Sequence, residues 1–229
     1  MRYEDIEIEF LGHDGFLIVW EGKKIVIDPF KISNNACEKI GKADYIFITH
    51  SHYDHCSIED IGKLVKHGTK IIVTPDAQSK VNRFENVEIG IASPGLKLKS
   101  GEISVYPFPA YNLDKDFHPQ DEGWVGYLLK LGNVIIYHTG DSDKIPEMVS
   151  IKGINVEGEK ILALLPVSGK YVMTAEEAVE AAEMITPDLA IPMHYSKGVI
   201  KNEEEIKDAE KFVSLCNEKG ISAKILEIL

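Results

Sequence analysis

Thr49-His50-Ser51-His52-Tyr53-Asp54-His55 sets three imidazoles and a carboxylate into one short stretch. An apolar, strand-like run precedes it and a serine of helix-capping type follows it. The stretch therefore reads as a loop leaving the carboxyl end of a buried strand, where open α/β-type sheets place their sites. In such a loop His50 and His52 can turn to one side while Asp54 and His55 turn to the other, which suits two neighbouring metal ions. Imidazole and carboxylate are ligand types that suit Zn²⁺, and incomplete protein coordination leaves room for water. Two dications lower the pKa of a bridging water enough to give hydroxide near neutral pH, and they polarise a scissile carbonyl or phosphoryl group. A merely polar, solvated loop is the plain alternative, and the density of ligand-type residues argues against it.

The elements that must hold this loop follow from the hydrophobic pattern. Alternating or continuous apolar runs predict strands over 7–11, 16–20 and 24–28, separated by glycine-containing turns. The run 44–49 is wholly apolar at its centre, as a strand buried on both faces would be. Ser57 caps a helix with Ile58, Ile61, Leu64 and Val65 on one side, stopping at Gly68, and 70–74 returns as a strand. Further strands are expected over 103–108, 125–131 and 134–138, the last two joined by Gly132-Asn133. Short buried strands follow at 161–165 and 189–192. Between them Thr174-Ala175-Glu176-Glu177 has capping-box form and opens a helix through Ala178, Val179, Ala182 and Ile185. A final helix starts at Asn202, turns Ile206, Ala209, Phe212, Val213 and Cys216 inward and ends at Gly220, before a last strand over 223–228. No repeat, low-complexity stretch or linker interrupts the chain, which reads as one domain over 1–229, of α+β class with helices outside two sheets.

The histidine loop resembles the His-x-His-x-Asp-His signature of the metallo-β-lactamase superfamily, and further family elements occur in order along essentially the whole chain. Asp28, in Ile25-Val26-Ile27-Asp28-Pro29, matches the early strand-end aspartate; Asp141, in Tyr137-His138-Thr139-Gly140-Asp141, matches the metal-bridging aspartate; His194, in Ile191-Pro192-Met193-His194-Tyr195, matches the late histidine. The resemblance implies a four-layer αβ/βα sandwich with two divalent metal ions, zinc first among them, with manganese or iron as alternatives. It implies that His50 and His52 hold the first metal, that Asp54, His55 and His194 hold the second, and that Asp141 bridges both. Asp54 and Asp141 are then the catalytic carboxylates, and Asp28 orients the histidine loop from behind. Within the superfamily the chain is most similar to the small, lactonase-like hydrolases related to L-ascorbate-6-phosphate lactonase.

One position departs from the pattern. Where most members carry a mid-chain histidine as third ligand of the first metal, this chain reads Pro107-Phe108-Pro109-Ala110-Tyr111-Asn112, and the next histidine is His118. Either His118 folds back from a loop rich in Asp, Pro and Gly, or Asn112 takes the position and the metal is bound weakly. His118 is favoured because neutral imidazole binds Zn²⁺ far better than an amide oxygen does. His13, in a Gly-His pair of the first turn, and Lys170, ahead of the capped helix, are candidates for contact with substrate. Cys56 follows His55 at a helix start, where the helix dipole would lower a thiol pKa, although such a cysteine is more often a small buried residue.

Composition narrows the function. Twenty-five Lys and Arg against 37 Asp and Glu give a net charge of −12, which repels a polyanion, and no basic run overrides it. Three cysteines (Cys37, Cys56 and Cys216) form no framework and point to a reducing compartment. No signal-peptide core follows Met1, and apolar runs are strand-length, so the expectation is a cytoplasmic protein without a bilayer span. The expected activity is hydrolysis of a small ester, lactone or phosphoester by a metal-bridged hydroxide. The expected partner is that small molecule, with neither nucleic acid nor membrane and with homo-oligomer formation left open. The competing classes are a non-catalytic metal-binding protein, kept alive by Asn112, and a di-iron oxidoreductase, which resembles a pattern with an acid at the position of His52.

Overall fold

The computed structural model describes residues 1–195 and 205–229, and within it the chain folds into two compact units. The first comprises Met1–Ser93 together with Leu226–Leu229, the second Pro94–Ile225. Each is built on its own mixed sheet.

In the first unit, strands β1 (Arg2–Tyr3), β2 (Ile6–Gly12), β3 (Gly15–Trp20) and β4 (Lys23–Ile27) form an antiparallel meander. β2 buries Ile6, Ile8 and Phe10 while Glu7 stays exposed, the period-two alternation that its sequence carries. The sheet then continues in parallel through β5 (Tyr45–Phe47), β6 (Lys70–Val73) and β7 (Glu88–Ile91). Parallel neighbours need crossovers, and the chain supplies α1 (Asn34–Ile40), α2 (Ile58–Leu64) and α3 (Gln78–Val81). Leu17, Val26, Ile46 and Ile71 on the sheet pack with Ala36 and Ile40 of α1, Ile61 and Leu64 of α2, and Val81 of α3 in one buried cluster. The last residues return to this unit. Ile228 bridges Phe10, the Leu229 amide donates to the Phe10 carbonyl (2.9 Å) and the Ser33 hydroxyl donates to the Leu229 carbonyl (3.2 Å).

The second unit repeats this plan. β8 (Leu98–Ser100), β9 (Ile103–Pro109), β10 (Val125–Leu131) and β11 (Val134–His138) are antiparallel, and β12 (Lys160–Pro166) and β13 (Leu189–Met193) add in parallel. α4 (Ala175–Ile185) is the crossover between the parallel pair, packs on β12 and turns Ala178, Val179, Ala182 and Ile185 inward. Its N-terminus has both halves of the capping box: the Thr174 hydroxyl accepts from the Glu177 amide, and the Glu177 carboxylate accepts from the Thr174 amide. α5 (Glu205–Glu218) packs on α4 and β13.

Several boundaries differ from the sequence expectation. α2 stops at Leu64 rather than at Gly68, because the chain leaves helical geometry at Val65 and Gly68 (φ 81°) serves a turn into β6. The expected strand over 223–228 is not one: only isolated bridges form there, Ala190 with Ala223 and Phe10 with Ile228. Ile206 is exposed, while Ala209, Phe212 and Cys216 are buried as expected. The proposed helix start at Asn202 lies outside the described residues. β1, α1, α3, β7 and β8 were not foreseen, though Ser33 caps α1 by accepting from the Ala36 amide and Gly41 (φ 63°) ends it. Among the described residues no helix is long and apolar enough to cross a membrane.

Candidate metal centre

The ligand-type residues singled out above lie in loops that follow strands. In the first unit β4 runs into Asp28, β5 leads into His50-Ser51-His52-Tyr53-Asp54-His55, and the β2–β3 turn carries His13. Asp28 (φ 41°) and His13 (φ 53°) adopt left-handed backbone that side-chain-bearing residues avoid unless the surroundings impose it. Asp28 is fully buried and accepts three hydrogen bonds from the histidine loop. Its Oδ1 takes the Thr49 amide (2.9 Å), and its Oδ2 takes the Thr49 hydroxyl (2.6 Å) and His55 Nδ1 (2.9 Å). Because the Thr49 hydroxyl donates to Asp28, its oxygen receives His50 Nδ1–H (2.9 Å). One carboxylate thereby fixes the tautomer of both His50 and His55 and puts their lone pairs on Nε2. His50 Nε2 lies 3.0 Å from His52 Nδ1, and His13 Nε2 lies 3.3 Å from Asp54 Oδ2. The Lys80 ammonium donates to the Ser51 carbonyl and braces the loop from the α3 side.

In the second unit β9, β11 and β13 all point their carboxyl ends the same way, toward Asn112, Asp141 and His194. Asp141 Oδ2 is 3.1 Å from His118 Nε2 and 3.2 Å from His194 Nε2, with all three side chains almost wholly buried. His118 does not ride on a loose loop. Its amide and Nδ1 both donate to Asn112 Oδ1 (3.1 and 2.9 Å), Nδ1 also faces the Tyr171 carbonyl (3.2 Å), and its carbonyl accepts the Asn112 amide (2.8 Å). Asn112 Nδ2 donates to the same Tyr171 carbonyl (3.1 Å). The amide thus spends its polar atoms holding the histidine, and with acceptors on both sides of Nδ1 the His118 lone pair sits on Nε2, toward Asp141. His194 (φ 58°) meets the Ser168 hydroxyl through Nδ1 (2.9 Å). Lys170 is exposed, with its ammonium 4.8 Å from the Tyr171 ring centre.

Donors about 2.1 Å from a tetrahedral ion stand about 3.4 Å apart, and octahedral donors somewhat closer. The spacings within each unit, 3.0 to 3.3 Å between nitrogen and oxygen atoms, fall in that range. Buried lone pairs facing a carboxylate at such distances repel unless protons or a cation lie among them. The donor set of each unit therefore fits a metal.

Some supporting residues carried no sequence signal. Asp143 is buried, accepts from the Leu113 amide (2.9 Å) and Lys115 Nζ (2.7 Å), and ties the Asp141 loop to the segment bearing Asn112; it reads as one more polar residue in Asp141-Ser142-Asp143. Asp14 is wholly buried 3.6 Å from His55 Nδ1. Ser168 and Thr49 act through hydroxyls that meet His194 and Asp28, residues far away in sequence. Cys56 is not activated by its helix start, since burial pushes its thiol up to about 11.

A superfamily whose fold pairs two mixed sheets and whose ligands cluster at strand ends is thereby indicated, and comparison with known proteins agrees. The sequence model of the β-lactamase superfamily domain matches residues 7–194. A relative from Pyrococcus furiosus, a UPF0173 metal-dependent hydrolase, is 32% identical over 223 residues, covering 94% of each chain. A relative of the same description from Archaeoglobus fulgidus is 31% identical, covering 96% of this chain and 95% of its own. Among solved structures, one from Parabacteroides distasonis superposes with a TM-score of 0.80 at 27% identity, covering 98% of this chain and 94% of its own. Igni18 from Ignicoccus hospitalis gives 0.77 at 23%, a likeness of fold. The chain belongs to the metallo-β-lactamase superfamily and, within it, to the UPF0173 metal-dependent hydrolases. Its fold class is α+β of the metallo-β-lactamase kind.

Proposed function

We propose that this chain is a cytoplasmic hydrolase of small esters, lactones or phosphoesters that works with two divalent ions, zinc first among them. As the family resemblance implies, His50, His52 and His118 would hold one ion and Asp54, His55 and His194 the other, with Asp141 contributing to both. The observation that carries this reading is the commitment of imidazole Nδ1 atoms to acceptors at Asp28, Thr49 and Asn112, which leaves Nε2 of His55, His50 and His118 as the coordinating atom. Bound divalent ions supply Lewis-acid polarisation of the scissile group and an activated water.

The chain's own residues do the rest. Asp28 keeps His55 and, through Thr49, His50 in register; Asn112 does the same for His118. His13, 3.3 Å from Asp54 Oδ2, is placed to share a proton with that carboxylate. Lys170 offers a cation to an anionic substituent of the substrate. The net charge of −12 and the three cysteine thiols favour a small-molecule partner and a reducing compartment over nucleic acid or an exported role.

Elemental analysis of protein purified without added metal tests the reading first, with two equivalents per chain expected. Asp54→Ala should then abolish hydrolysis across a lactone, ester and phosphodiester panel with the thermal midpoint little changed. Less than one equivalent after reconstitution would remove the mechanism. Two equivalents with no hydrolysis in the wild type would favour a non-catalytic metal-binding protein.

A further inference from the structure

Each unit carries a lysine-capped aromatic pair directly beside its own donors. In the first, Phe30 meets Tyr53 edge-to-face with ring centres 5.7 Å apart, and the Lys31 ammonium is 5.0 Å from the centre of Phe30. Phe30 also meets the His13 ring at 5.8 Å, and Tyr53 stands between His52 and Asp54 in the chain, yet its side chain is 66% exposed. In the second, Phe117 meets Tyr171 edge-to-face at 4.7 Å, with the Lys170 ammonium 4.8 Å from the centre of Tyr171. Phe117 precedes His118 and is 46% exposed, while the Tyr171 carbonyl is the one that receives His118 and Asn112.

Large aromatics that remain in solvent while lying against ligand-type residues are poorly explained by folding, which would bury them. The pair in the first unit is also held in place from within. The buried Asp60 carboxylate accepts from the Lys31 amide (2.8 Å), the Ile32 amide (3.3 Å) and the Ser57 hydroxyl (2.7 Å), pinning the segment that presents Phe30. A ring edge offers stacking and edge-to-face contact to apolar matter, and an adjacent ammonium offers a counter-charge to a carboxylate or phosphate.

We propose that the pair in the first unit, Phe30 and Tyr53 beside Lys31, is a recognition element for an amphipathic anion, so that the preferred substrate is an ester or lactone with an aryl or long acyl body and an anionic group. This rests on the hydrolase reading of the same donors, and it is tested both with and without turnover. The turnover arm compares kcat/KM for phenylpropionyl and acetyl esters of one leaving group, each with and without a carboxylate. The aryl carboxylate is expected to be preferred by at least about tenfold, mostly through KM, and Tyr53→Ala to erase most of that preference, which Tyr53→Phe retains. The binding arm titrates metal-loaded protein with 3-phenylpropionate by calorimetry, where Tyr53→Ala should weaken affinity by about tenfold and doubled ionic strength should weaken it further. The Tyr53 ring is solvent-exposed, so this variant keeps the core intact. Hydrolysis without aryl preference, or affinity for 3-phenylpropionate unchanged in Tyr53→Ala, would overturn the inference. Ring-dependent binding without hydrolysis of any ester would support it while removing the hydrolase reading.

Discussion

At the scale of single residues the site is a matter of who holds whom. His50, His52, Asp54 and His55 were legible because their types and spacing speak for themselves, and Asp28, Asp141 and His194 because each follows an apolar strand at a matching place. The partners that orient them were not legible, since a hydroxyl or amide acquires its role from a fold that brings distant segments together. Asn112 shows this best. In sequence it reads as a defect in the pattern; in the structure it takes both the amide and the Nδ1 of His118. Asn112→Ala is accordingly expected to release His118 and lower affinity for one metal by about 10- to 100-fold, the range seen when a partner of a metal ligand is removed. Chelator competition would measure it, and affinity within about twofold of wild type would show that His118 is positioned by other means.

At the scale of elements, strands with clean alternation or continuous burial were read to within a residue or two: β10 and β11 fall on the expected bounds, and the capping box opens α4 where Thr174 and Glu177 place it. Short elements escaped. α1 is seven residues with two asparagines in its first turn, so propensity gives little sign of it, and only tertiary packing of Ala36 and Ile40 makes it pay its way. One strand glycine has a purpose that pattern reading passes over. A Cβ at Gly126 would lie 2.5 Å from the His138 carbonyl oxygen and 2.6 Å from that of Thr139. β10 must be bare there for the chain to turn sharply out of β11 and deliver Asp141. Gly126→Ala should therefore cost about 2–3 kcal/mol of stability, in the range of overpacked cores, and should reduce metal content as well. Urea denaturation read beside elemental analysis checks both; a stable, fully loaded variant would show that β11 can shift without moving Asp141.

At the scale of the whole molecule, the two-unit plan left no compositional mark. Its boundary falls at Ser93-Pro94-Gly95, which reads as an ordinary turn, and the two sheets were expected only from the repeated succession of strands and helices. Burial of the second unit's core has a consequence for alkaline stability. Burial pushes the Cys216 thiol from 9.0 up to about 12, with Glu183 adding to the rise. The folded state thus retains a proton that the unfolded chain gives up. That contribution is complete below pH 9.0 and is lost as the pH climbs toward about 12. Denaturation midpoints should fall between about pH 8 and about pH 10.5, and less steeply in Cys216→Ala. Equal slopes would show that other groups govern the loss.

The return of Leu226–Leu229 to β2 bears on how the chain reaches this state. β1 pairs only with Ile6 and Glu7, and further along the same side of β2 the Phe10 carbonyl is met by Leu229. During synthesis the first sheet can assemble as soon as its own strands have emerged, but that stretch of its border stays open until the entire second unit has been made. An open border is a template for any extended segment nearby, the nascent chain's own later strands included. The interval between those two events is where a holding chaperone would matter most for this protein, and Glu7, exposed on that strand, keeps a charge beside the border meanwhile.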